Sequence, residues 1–243
     1  MKLRFGYVSR NQTMRFQMPI PRAWLTAVLT AALLYGCASS GAKNAEPGGA
    51  PGGALSGIVG RQLLVLPAQL ISTAGAGGTY EVRPNEAQLL QLLDQEITDA
   101  FRKRGVRGNW VFPQELIASA TRNAGLAGNP LALPVAGIRR IKVGDTPLPE
   151  PLAGDIRGLV SLTNARYAIM PLETKIDMSS VQRKAVMRVL LIDARTARVV
   201  WAGDVESQAS NDPSVIRETL SPFGFRILAR ELAAAFADMV VAQ

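Results

Sequence analysis

Val189-Leu190-Leu191-Ile192-Asp193-Ala194-Arg195-Thr196-Ala197-Arg198-Val199-Val200-Trp201 is the stretch that decides the fold. Apolar residues run up to Asp193 and resume at Val199, with a polar, turn-forming segment between them. That pattern predicts an antiparallel hairpin, with arms over 185–192 and 199–205. Just upstream, Tyr167-Ala168-Ile169-Met170 predicts another strand, preceded by a helix over 153–164. Downstream, Asp212-Pro213 opens a short helix and Ser221-Pro222 a longer one, because proline is preorganised for a first helical turn. Ile227 or Leu228, Leu232, Ala235, Phe236 and Met239 recur on one side of the longer helix.

The amino-terminal half alternates more regularly. Gln62-Leu63-Leu64-Val65-Leu66, ended by Pro67, is a short apolar run of the kind a buried strand shows. Gly75-Ala76-Gly77-Gly78 lacks the Lys-Ser/Thr of a P-loop and the spacing of a dinucleotide fingerprint, so it is expected to be a surface loop. A helix is predicted over 86–104, with Asn85 as N-cap and Gln88 in the capping-box position. Leu90, Leu93, Ile97 and Phe101 form its core face, with Leu89 and Ala100 beside them, while Asp94 and Glu96 are expected on the solvated face. Arg102-Lys103-Arg104 complements the negative helix end, and Gly105 is the stop. Asn109-Trp110-Val111-Phe112 reads as a strand and 113–123 as a helix. Between 125 and 151 the chain is rich in Gly and Pro, with one strand candidate over 136–143. Arg139, Arg140 and Lys142 cluster there, as charges guarding an edge strand or as a binding surface. The order β-α-β-α, irregular section, α-β-β-β, α predicts an α/β (α+β) fold. It would be a mixed sheet of about five strands covered by helices.

Charge is unevenly placed. The formal net charge is +8, but Lys2, Arg4, Arg10, Arg15 and Arg22 all precede the first acidic residue, Glu46. From position 37 onward 22 basic residues face 19 acidic ones, so a nucleic-acid partner is not indicated. Residues 23–34 are apolar and uncharged, too short to span a bilayer, which takes about 20 residues. A basic region, a short apolar core and small residues describe an export signal. Translation beginning at Met14 or Met18 would leave a compact one. Residues 38–57 are mostly Gly, Ala, Pro and Ser. Such a segment cannot bury enough surface to order itself, and as a flexible tether it would reach about 25 Å.

Leu34-Tyr35-Gly36-Cys37 resembles the lipobox of bacterial lipoproteins, with Tyr35 departing from the small residue usual there. The resemblance implies cleavage after residue 36 and acylation of Cys37, the one cysteine in the chain, so that membrane lipid holds the protein. The absence of Asp at position 38 implies the outer membrane. The expected organisation is therefore 1–36 signal peptide, 37–57 lipidated cysteine and tether, and 58–243 a periplasm-facing domain.

Three further pieces resemble the periplasmic α/β domain shared by curli-secretion lipoproteins (CsgG), the TolB amino-terminal domain and the LpoB activators of cell-wall synthases. They are Leu63-Leu64-Val65-Leu66-Pro67, Arg166-Tyr167-Ala168-Ile169-Met170 and the hairpin from Val189 to Trp201. Ala197 stands where the family hairpin usually has glycine. If that turn needs positive φ, alanine costs about 1 kcal/mol or more.

Catalysis has little to work with. There is no histidine, and the one Ser-x-x-Lys, Ser40 to Lys43, lies in the tether. No catalytic group, metal ligand set or cofactor motif is read from the sequence. A secretion pore would need strands of roughly ten alternating residues, and Pro130, Pro134, Pro147 and Pro149 break the irregular section. The expected function is a non-catalytic binding or assembly module of the envelope, with a protein or peptidoglycan partner and room for homo-oligomers. The alternative is a subunit of a curli-type secretion channel.

Overall fold

The computed structural model describes residues 55, 58, 60–75, 78–81, 85–106, 109–141, 146–179 and 181–241. In chain order the first half comprises β1 (Leu63–Val65), β2 (Leu70–Gly75), β3 (Gly78–Glu81), α1 (Glu86–Lys103), β4 (Trp110–Val111) and α2 (Pro113–Arg122). A 3-10 turn (Ala136–Ile138) and β5 (Thr146–Pro147) follow, then α3 (Leu152–Ser161), β6 (Tyr167–Asp177), β7 (Lys184–Asp193), β8 (Arg198–Glu206), α4 (Pro213–Arg217) and α5 (Pro222–Val241).

The expected mixed α/β architecture is what forms, with eight strands among the described residues rather than about five. β1 lies parallel between β4 and β6. β2 runs parallel along the rest of the same edge of β6 and folds back antiparallel into β3. On the other side of β6, the strands β7, β8 and β5 follow in antiparallel order. The hairpin read from 189–201 is the β7–β8 pair.

Leu63, Leu64 and Val65 are all buried, because helices cover both faces of the sheet here. Leu63 and Val65 join one core with α1, α4 and α5, where the Phe101 and Phe236 rings meet edge to face at 5.1 Å. Leu64 and Leu66 join a second core with α2, α3 and the 3-10 turn. Leu55 and Ile58 also pack into the first core. That face was legible from the heptad-like spacing of α1 and α5.

Two prolines organise the middle of the sheet. Pro171 lies within β6, where the register against β7 shifts between Pro171 and Glu173. Proline has no N–H to donate, so strands tolerate it at bulges. Opposite this bulge the neighbouring edge is interrupted between β1 and β2, at Leu66-Pro67-Ala68-Gln69. Leu66 N–H still donates to Ile169 O and Gln69 N–H to Pro171 O. Between them Ala68 N–H is released from the ladder and points to a side chain instead.

Several expectations are corrected. Asn85 does not cap α1 through its side chain; it sits at φ 62° in the left-handed region, so Gln88 completes no capping box. Gly105, at φ 81°, is the expected stop. The glycine-bearing segment near 75–78 joins two strands, β2 and β3, that were not foreseen. In place of the strand expected over 136–143, its described part, 136–141, holds a 3-10 turn over 136–138 and amides that bond locally, Ile138 N–H to Val135 O and Ile141 N–H to Ile138 O. Asp94 is 5% exposed rather than solvated. Glu96, also mostly covered, lies against Arg226 and Arg230 of α5. No helix among the described residues is long and apolar enough to cross a membrane.

Candidate functional site

The released Ala68 amide leads to the site. It donates to Asp94 Oδ1 at 2.8 Å, joining the exit of β1 to the middle of α1. Asp94 follows Leu90 by four residues and precedes Ile97 by three, which puts it on the helix face that turns inward. Burial pushes its carboxyl up to about 7, against the opposing pull of the Ala68 hydrogen bond.

Above Asp94 lies a pocket of about 370 Å³. Ala87, Leu90, Gln91 and Asp94 of α1 form one wall, and Pro113, Gln114 and Ile117 of α2 form another. Ala68 and Leu131 complete the lining. The pocket therefore sits beyond the carboxyl ends of β1 and β4, two parallel strands, the usual place for ligands on open α/β sheets. Ala87, Gln91, Gln114 and Leu131 are exposed, whereas Asp94, Ala68 and Pro113 are buried. The walls are thus mainly apolar, with amides toward solvent and one acid at the closed end.

Gln69 holds Leu131 in place. Its Nε2 donates to Pro130 O at 3.0 Å and to Pro67 O at 2.7 Å, and its Oε1 accepts from Leu133 N–H at 3.3 Å. This buried amide pins the irregular section to the β1–β2 link. Asn129 Oδ1 then accepts from Leu131 N–H at 3.0 Å. Leu131 is left 54% exposed at the pocket mouth.

The residues singled out from the sequence are not brought together. Arg139 donates through Nη2 to Glu173 Oε1 at 2.6 Å, and Ser72 Oγ donates to the same oxygen at 2.8 Å. Arg139 is therefore a structural partner of a buried acid, not a guard on an edge strand. Burial alone would raise the Glu173 carboxyl. The hydrogen bonds from Arg139 and Ser72, with the Lys175 and Arg139 charges, outweigh it and hold the group below the usual carboxylate range. Arg140 is exposed beside it, and none of these residues lines the pocket. Lys142, and the lipobox residues Leu34, Tyr35, Gly36 and Cys37, lie outside the described residues.

Among the described residues no serine, threonine, cysteine, lysine or tyrosine lines the pocket, so none of them offers Asp94 a nucleophile or second acid–base group there. Among the described residues no group of three or more His, Cys, Asp or Glu side chains could hold a metal ion. Chemically the site can bind: it can enclose an apolar body and offer one carboxylate.

No family model matches this chain, and neither does any curated protein. Among solved structures it is similar to the PelC dodecamer from Paraburkholderia phytofirmans, at 12% identity and a TM-score of 0.36 over 76% of this chain and 90% of that one. It is similar to LpoB from E. coli at 15% identity and 0.32, over 83% and 91%. The lipoprotein GNA1162 from Neisseria meningitidis follows at 14% and 0.31, over 68% and 96%. Identities and scores this low say nothing of what this chain binds.

Proposed function

We propose that the protein is a lipid-anchored, non-catalytic binding or assembly module of the bacterial cell envelope, facing the periplasm from the outer membrane. Its partner engages at the pocket over Asp94. One observation carries the binding part: a mainly apolar pocket at the carboxyl ends of β1 and β4 holds, among the described residues, one carboxylate and no nucleophile. The anchor is supported by the sequence around Cys37 and by the tether-like composition of 38–57. A curli-type channel is the weaker reading, because the described part of 125–151 supplies a 3-10 turn and the two-residue β5 rather than barrel strands.

Two measurements test it. Mass spectrometry of the mature chain should show an acylated residue 37 that Cys37→Ser abolishes along with membrane association. Crosslinking and recovery from envelope fractions should capture a specific protein or peptidoglycan partner, and Ile117→Lys in the pocket wall should lose it. Measurable hydrolysis of an envelope substrate without any captured partner would overturn the binding role.

A further inference from the structure

We propose that the pocket takes the tip of a basic side chain, a lysine or arginine presented by a protein partner, with the cation against Asp94 and the aliphatic stem between α1 and α2. This rests on the binding role given above and assigns its chemistry.

Three features of the pocket specify that occupant. Among the described residues one Asp94 oxygen, Oδ1, accepts a hydrogen bond, from the Ala68 amide, and a carboxylate in an apolar setting is costly until a cation or further donors meet it. Among the described residues no lysine or arginine pairs with Asp94. At the carboxyl end of the same helix, Arg102 pairs with Glu115 and Arg104 with Asp238. Among the described residues the acid therefore has no counterion of its own, and once ionised it takes one from outside.

The polarity of the walls matches a long amphipathic side chain. Leu90, Ile117 and Leu131 would lie along methylene groups, which Lys and Arg readily bury while their charged head finds a polar partner. A volume of about 370 Å³ falls at the small end of ligand sites and suits one extended side chain rather than a folded segment. Gln91 and Gln114 could receive the backbone that carries it. Among the described residues Asp94 is the only titratable one in the lining; α2 contributes Pro113, Gln114 and Ile117, and the other contributors, Ala68 and Leu131, carry no charge. Charge complementarity thus runs through one residue.

The test uses the full chain in detergent, labelled with ¹⁵N, with n-butylammonium and n-butylguanidinium as probes and n-pentanol as the uncharged counterpart. Saturable shifts are expected at the amides of Ala68, Leu90, Asp94 and Ile117. Cation affinity should exceed that of pentanol at least tenfold at pH 8 and weaken as pH falls toward 6. Asp94→Asn keeps an acceptor for Ala68 and should abolish the preference while pentanol still binds; Leu131→Ala, at the exposed mouth, should weaken all three. Equal binding of pentanol and the cations, an unchanged preference in Asp94→Asn, or no saturable shift with any probe overturns the inference. These results are separable from the envelope role. A partner captured by crosslinking that ignores Asp94→Asn sinks the pocket chemistry alone, whereas selective probe binding with no recoverable partner sinks the envelope role alone.

Discussion

Ala68 N–H and Asp94 Oδ1 meet at 2.8 Å across the gap between the sheet and α1. The contact exists because the ladder is interrupted opposite Pro171, which frees an amide that an unbroken strand would have paired. It also sets a pH dependence. The Asp94 carboxyl is raised to about 7 in the folded protein by burial, so the folded state holds its proton more tightly than the unfolded chain does. Its favourable contribution is complete below about pH 4 and is lost as pH rises through about 7. Asp94→Asn removes that titration. In urea unfolding, the variant should gain on the parent between about pH 4 and pH 8, by up to about 4 kcal/mol. A stability difference that stays flat across this range would show that Asp94 is not held protonated by burial.

Glu173 has the opposite sign. It is ionised and held below its ordinary range, so its contribution is present above the unfolded value of about 4.3 and fades as pH falls. Arg139→Met leaves that carboxylate buried with Ser72 and a lysine 3.9 Å away. The expected cost is about 2 kcal/mol at neutral pH, below the full value for a buried pair because Arg139 is part-exposed. Arg139→Met combined with Glu173→Leu should recover much of it. Equal losses in the single and double variants, measured by urea midpoint, would mean the pair does not act as a unit.

Much of the frame was legible because its signals are local. The two motif segments around Arg166 and Asp193 meet: Arg166 Nη2 donates to Asp193 Oδ2 at 2.9 Å, while Asp193 Oδ1 accepts from the Arg195 amide at 3.0 Å. Those residues fix the hairpin and its neighbour, which is why a short pattern carried them. Other parts were hidden by departures from strict period. The β7–β8 register shifts between Leu191 and Ile192, with Val200 the extra residue on β8, so Val199 and Trp201, two residues apart, enter opposite cores. The two-residue strand β5 and the weakly apolar β2 carry too little pattern to be read from alternation, whereas β4 was legible from its Trp110-Val111-Phe112 run.

The pocket was only half hidden. Helical spacing places Asp94 on the stripe of Leu90, Ile97 and Phe101, and an acid at a core position is a signal in itself. It was assigned to solvent by residue type rather than by phase. Leu131 and Gln69 had no local signal. Their roles depend on the irregular section returning to the β1–β2 link, a long-range contact that only the fold supplies.

The corner between α4 and α5 makes a sharper test of packing. A Cβ on Gly224 would lie 2.3 Å from Glu218 O and 2.7 Å from Glu218 C, both backbone atoms that cannot swing away. Gly224→Ala must therefore open the corner, with an expected loss of about 2 kcal/mol or more. Gly60→Ala, where a Cβ meets nothing, is the control and should change stability little. Comparable thermal midpoints for the two variants would contradict the close approach.

Ala197 holds φ 52° in the β7–β8 turn, so the turn keeps the left-handed residue that glycine would suit, despite the alanine. Relief of that strain by Ala197→Gly is worth about 1–2 kcal/mol. Against it stands the Ala197 methyl, which is buried in the second core, and the loss of one such group costs about 0.8 kcal/mol. Added backbone freedom of glycine in the unfolded chain takes back about 0.5–1 kcal/mol more. The terms nearly cancel, so Ala197→Gly should move the urea midpoint by less than about 1 kcal/mol. Ala197→Val is different, because a β-branched residue is a true outlier at positive φ and its extra methyls would crowd a filled core. It should cost about 2 kcal/mol or more. A valine variant as stable as the glycine one would mean the turn can abandon the left-handed conformation, and the hairpin would then owe its register to the Asp193 contacts alone.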